Sequence, residues 1–215
     1  MITLNNIKEA RKNLENIAIN TPIAKAPILS KELNAQVYLK KENLQLTGSF
    51  KLRGAFNRVA NLKDNQKKNG VVAASAGNHA QGLAFAAQYF GCEATIFMPE
   101  ATPLTKVSGV RSYGAQVVLI GENFDEAYAS AIKFAKDNNK EFVHPFADDE
   151  VIAGQGTIAL EILEKIDKSE VEKYFEFFRR SLGHIMYQSS YAYRAYHKPR
   201  GYAGDYEMMN HVYKR

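Results

Sequence analysis

The run Gly70-Val-Val-Ala-Ala-Ser75 is apolar at nearly every position, too short for a helix, and followed at once by a glycine-bearing turn and a helical stretch. A strand with apolar side chains on both faces has no solvent side. In soluble proteins it belongs in a parallel sheet between helical layers. The rest of the chain repeats the pattern. A helix is expected from about Asn78 to Phe90, closed by Gly91. Ala94–Met98 reads as the next strand, ended by Pro99. A helix opens at Thr102 or Pro103 and stops at Gly114. Gln116–Ile120 is a strand, 124–138 a helix, and Glu141–His144 a short strand. Upstream, Ile7, Ala10, Leu14 and Ile17 share one face of a helix over 3–17 with Thr3 as N-cap. Gln36–Lys40 reads as a strand, and Ser49 caps a helix running to about Leu62. The spacing is that of βαβ units, so the predicted class is α/β: an open parallel sheet with flanking helices. Ligands of such sheets gather beyond the carboxyl ends of the strands. Two glycine-bearing loops are expected there, 75–79 and 154–157.

Composition narrows the function. The 215 residues are 46% apolar and 24% charged, enough to bury a sizeable core. No apolar run approaches the roughly 18 residues of a membrane span, so no membrane partner is expected. The net charge of +5 is dispersed over short doublets (Lys40–Lys41, Lys67–Lys68, Arg179–Arg180), a solvated surface rather than a nucleic-acid stripe. A single cysteine, Cys92, leaves no internal disulfide or multi-cysteine zinc site, and no metal is expected. With no apolar leader in the first residues, the setting is expected to be cytoplasmic. Near Asp167 the composition changes. Residues 1–166 hold 11 of the 14 glycines but 4 of the 12 tyrosines. Beyond it, Val171, Tyr174, Phe175, Phe178, Leu182, Ile185 and Met186 follow helical spacing. An amphipathic helix is expected over 168–190, its stripe covering apolar surface elsewhere.

Three stretches can carry chemistry. In Gly48–Ala55, Lys51 stands at a helix start between Phe50 and Leu52. Partial burial and the positive helix end both disfavour its ammonium form, and a neutral amine is what Schiff-base chemistry requires. Taken alone, the same lysine is an ordinary surface residue. Ser75–Gly82 joins a buried strand to a helix whose exposed N–H groups favour a carboxylate. There Gly77 allows close approach and Asn78 can donate an amide hydrogen bond; the plain alternative is a polar turn with an asparagine cap. His144–Thr157 carries the pair Asp148-Asp149, read as a helix-capping turn, and Gln155 between two glycines. His79 and His144 are too isolated for a metal-ligand set, and Cys92 is expected buried and inert.

Together with Thr21-Pro22, Lys40–Gln45 and Ala94–Pro99, these stretches make residues 1–166 resemble the threonine dehydratases (threonine ammonia-lyases). These belong to the tryptophan-synthase-β-like, fold type II group of pyridoxal phosphate (PLP) enzymes. The resemblance implies that Lys51 forms the internal aldimine with PLP and that Phe50 packs against the cofactor ring. It implies that Asn78 bonds the ring's phenolic oxygen. Ser75, Gly77 and His79 would hold the substrate carboxylate, and Gln155 would lie in a second substrate-facing loop. The implied reaction is β-elimination of a hydroxy amino acid, L-threonine or L-serine, to a 2-oxo acid and ammonia, by an enzyme that forms dimers or tetramers. Serine racemases resemble the pattern with a serine where this chain has Ala76, which has no transferable proton; this favours elimination.

Past the Gly154–Thr157 stretch the pattern stops. The glycine run that binds the cofactor phosphate in the family is not found in 158–215, nor is the partner of the pyridine nitrogen. The expected organisation is a small PLP-enzyme domain at 49–150, remnants of a larger domain at 1–48 and 151–166, and an unrelated helical, Tyr-rich tail at 167–215. Activity is expected to be impaired. His197–Met209 faintly resembles a segment of some S-adenosylmethionine-dependent methyltransferases. The alternatives are therefore a non-catalytic truncated or fused fragment, or a methyltransferase-associated one.

Overall fold

A computed structural model describes residues 2–165 of the chain; the helix expected over 168–190, the rest of the Tyr-rich tail and the 197–209 resemblance lie outside the described residues. The elements run α1 (Leu4–Asn13), β1 (Ile23–Lys25), α2 (Pro27–Glu32), β2 (Tyr38–Lys40), a 3-10 turn (Glu42–Leu44), α3 (Lys51–Ala60), α4 (Asp64–Asn69), β3 (Val71–Ala74) and α5 (Asn78–Tyr89). They continue with β4 (Ala94–Met98), α6 (Leu104–Arg111), β5 (Gln116–Leu119), α7 (Phe124–Asp137), β6 (Glu141–Phe142) and α8 (Asp149–Leu163).

The sheet is parallel, in the order β5-β4-β3-β6. Strands β3 and β4, apolar except for Thr95, are central and buried at every residue. Their alternation splits the core in two. Val71, Ala73, Ile96 and Met98 face a cluster with Ala55, Phe56 and Val59 of α3, Leu83, Ala84 and Ala87 of α5, and Val107 and Val110 of α6. Val72, Ala74 and Phe97 face Ala131 and Ala135 of α7. Edge strand β5 is at most half-buried, as its place at the end of the sheet order leaves it less covered.

The caps follow from sequence. Thr3 Oγ1 accepts the Asn6 N–H and Asn6 Oδ1 accepts the Thr3 N–H, a capping box that starts α1. Asp148 Oδ1 accepts the N–H groups of Glu150 and Val151, so the Asp148-Asp149 pair opens α8 as expected.

Three expectations are corrected. Residues 154–157 are not a loop: they lie inside α8. Their glycines serve helix packing, since a Cβ on Gly154 would sit 2.5 Å from the Arg53 carbonyl oxygen and 2.6 Å from Gly54 Cα. The expected strand Gln36–Lys40 shortens to β2 and pairs antiparallel with β1, in a ribbon separate from the main sheet. The helix expected over 3–17 ends at Asn13, and α2, α4 and β1 were not anticipated.

Candidate functional site

The carboxyl ends of β3 and β6 open onto the first turns of α3 and α5. Close packing sets this: Gly82 lets α5 approach the α3 backbone so nearly that a Cβ there would meet the Lys51 carbonyl oxygen at 3.0 Å. Lys51, the first residue of α3, is thereby placed in reach of the segment after β6. Its Nζ donates to the Pro145 carbonyl oxygen at 3.0 Å and lies 5.2 Å from the centre of the Phe50 ring. Burial holds its amine below the ordinary lysine value, the direction expected from the sequence. Ser49 Oγ accepts the Lys51 N–H, while Phe50 takes the N-cap position, so the serine sits one residue further out than a conventional cap. Phe50 is 36% exposed.

The turn after β3 leads into α5. Ser75, Ala76 and Gly77 are half-buried, and Asn78, the first residue of α5, is exposed. Gly77 is the N-cap of α5 and offers no side chain to its first-turn N–H groups; a Cβ added to it would meet nothing within 4 Å. This is an open helix start with free donors, the arrangement that suits a carboxylate. Ser75 Oγ accepts the Gly77 N–H, which fixes the turn.

His79 differs from its neighbours. Its side chain is buried, with Nε2 3.0 Å from the Val143 carbonyl oxygen. The carbonyl can only accept, so Nε2 carries the proton. Nδ1 is buried without a hydrogen-bond partner among the described residues. Burial, together with the nearby charges of Lys51 and His144, lowers the ring's pKa to about 4, and the bond to Val143 opposes this only in part. Only its backbone belongs to the open turn. His144 is buried too, and its Nδ1 accepts the N–H groups of Phe146 and Ala147 at 3.2 and 2.9 Å.

Gln155, expected in a substrate-facing loop, lies within α8, where Oε1 accepts the Gly54 N–H at 3.2 Å. The geometry groups Phe50, Lys51, Ser75, Gly77 and Asn78 at one end of the sheet and ties Gln155 to the backbone of α3. The residues present suit the aldehyde and ring of PLP: a desolvated amine with an aromatic ring beside it, and a helix start on α5 with uncapped donors.

Sequence reasoning missed the frame behind Lys51. Arg53, 1% exposed, donates to both carboxylates of Glu42 and Glu161, to Thr157 Oγ1 and to the Ile19 carbonyl. Lys40 donates to Glu161 and to the Thr21 carbonyl. Two cations and two carboxylates thus join the N-terminal segment, α3 and α8. Burial works against the Arg53 charge, but Glu42 and Glu161 overcome it and hold its pKa above the ordinary value. A signal existed: Arg53 and Glu161 interrupt apolar stretches, and a charge there must be paired. Cys92 is buried, and burial raises its thiol pKa, as expected of an inert cysteine.

Comparison with known proteins identifies the family. Residues 14–175 match the family described as pyridoxal-phosphate dependent enzyme. The chain is 54% identical over 171 residues to an L-threonine ammonia-lyase of Thermotoga maritima, covering 80% of this chain and 43% of that protein. It is 48% identical over 174 residues to a biosynthetic L-threonine dehydratase of Lactococcus lactis, covering 80% and 42%. The chain therefore spans less than half the length of these relatives. Among solved structures, threonine deaminase isoform 2 of Solanum lycopersicum superposes with a TM-score of 0.70 at 39% identity, over 77% of this chain and 47% of that one. Serine racemase of Dictyostelium discoideum superposes at 0.72 and 34%, over 78% and 54%.

Proposed function

Because the chain belongs to the pyridoxal-phosphate dependent enzyme family, we propose that its Lys51 site takes part in β-elimination of L-threonine or L-serine to a 2-oxo acid and ammonia. The observation that carries this reading is the Lys51 amine, partly desolvated, bonded to the Pro145 carbonyl and lying beside the Phe50 ring.

Each residue contributes a separate physical effect. Burial leaves a larger fraction of Lys51 neutral at physiological pH than an exposed lysine, so its Nζ is a competent nucleophile and, when released, a base for the substrate α-proton. The Phe50 face packs against a planar ring, and Asn78 offers an amide to a ring oxygen. The first-turn N–H groups of α5, with Ser75, orient a carboxylate. Ala76 can neither donate nor accept a proton, so a proton removed at one face has no return path from this position. That favours elimination over racemisation. PLP supplies the electron sink when bound.

The same reading assigns an amino-acid ligand, a cytoplasmic setting and self-association. The phosphate-binding glycine run is not found in 158–215, and each charge-assisted hydrogen bond it would supply is worth roughly 1.5–3 kcal/mol. That feature favours a second reading, a non-catalytic chain. Ammonia release from L-threonine with added PLP decides between them. The expected result is measurable release that falls about a hundredfold or more in Lys51→Ala. Equal release by both proteins, or none by either, contradicts the catalytic reading.

A further inference from the structure

The stretch between β6 and α8 is not explained by capping alone. Asp148 starts α8, but the three residues before it form a tight turn of their own, and His144 holds it. The ring's Nδ1 accepts two successive backbone N–H groups, Phe146 and Ala147, so the backbone wraps round a buried imidazole. The carbonyl on this wrapped segment, that of Pro145, is the acceptor for Lys51 Nζ at 3.0 Å. One residue before the ring, the Val143 carbonyl is held by His79 from α5. Two buried imidazoles therefore fix the carbonyls on either side of position 144, and neither is hydrogen-bonded to the lysine itself.

We propose that His144 is a positioning residue for Lys51: by gathering the 145–147 backbone it holds the Pro145 carbonyl as the resting acceptor of the free lysine amine. The proposal rests on Lys51 being the reactive amine. A lysine side chain has four rotatable bonds, and a reactive one must be kept in place when it is not bonded to anything. A backbone carbonyl is suited to this because it accepts a hydrogen bond but cannot take the proton. Its bond is stronger to the ammonium than to the amine, so it counteracts part of the desolvation that favours the neutral form. His79, on α5, is a titratable neighbour: burial and the charge of Lys51 help lower its pKa to about 4, so it is neutral where the lysine titrates.

The test needs no cofactor. Trace acetylation of the full chain across a pH series, read by mass spectrometry at Lys51 and normalised to exposed Lys106, gives the titration midpoint of Lys51. His144→Leu removes the ring nitrogen and frees the turn. The expected result is a downward midpoint shift of about half a pH unit, seen as about threefold more labelling at a fixed pH below the midpoint. His144→Asn restores an acceptor at nearly the same position, as asparagine does in turns, and is expected to titrate like wild type. A folded His144→Leu protein with an unchanged or raised midpoint overturns the proposal. So does a ¹⁵N spectrum of the wild-type protein showing the proton of His144 on Nδ1, a measurement that stands whether or not the leucine variant folds. If PLP fails to react with Lys51, the functional reading falls while this titration still reports the coupling.

Discussion

At the scale of residues, the site depends on keeping polar groups in their neutral forms. His79 shows how this links to stability. Its folded pKa of about 4 lies below the ordinary value of 6.5. Between those values the unfolded chain binds a proton that the folded chain does not, so stability falls as pH drops through this window and is complete above it. One group shifted this far contributes about 3 kcal/mol. Denaturation of wild type and His79→Gln from pH 4 to 7 measures it. The glutamine can still donate to the Val143 carbonyl but does not titrate. Its stability curve is expected to be flatter by about one proton in that range; parallel curves contradict the assignment. From sequence, the histidine could be placed in the turn but not aimed. That its side chain turns inward to the carbonyl just past a neighbouring strand depends on β6 lying beside β3, a long-range pairing that no local pattern reveals.

At the scale of elements, strands β3 and β4 were legible because burial on both faces demands apolar residues at nearly every position, Thr95 being the exception, and few other structures do. Elements whose stability comes from elsewhere were not. β1 is three half-exposed to exposed residues that exist as a strand only through pairing with β2. α4 is polar on every side and has no apolar period to read. The 154–156 glycines were misread because a glycine marks close approach without saying of what. Here the partner is a helix: a Cβ on Gly54 would lie 2.5 Å from the Val151 carbonyl oxygen, and one on Gly154 2.5 Å from that of Arg53. Both obstacles are backbone, so α3 and α8 must separate to admit a methyl group. Gly154→Ala is expected to destabilise the chain by about 1–3 kcal/mol despite the better helix propensity of alanine. Because α3 begins at Lys51, it should also change the labelling rate of that lysine. Urea denaturation and Lys51 labelling check the two effects; a protein as stable as wild type contradicts the packing account.

At the scale of the whole molecule, the described residues form a parallel sheet with its reactive end built from α3, α5 and the segment after β6. The buried charges of Lys40, Glu42, Arg53 and Glu161 bind the N-terminal segment and α8 to the rear of α3. This frame was the least legible part of the site, because its members are far apart in sequence and their charges suggest surface. The reactive residues were more legible, since a lysine at a helix start and a glycine turn after a buried strand each imply a local geometry. The central claim is that this frame presents one lysine, among many, to an aldehyde. Borohydride reduction of the full chain with PLP, followed by peptide mass mapping, tests it directly. The account predicts a pyridoxyl group joined to Lys51 Nζ well in excess of any exposed lysine; label spread over exposed lysines such as Lys106 and Lys136, with none at Lys51, would contradict it.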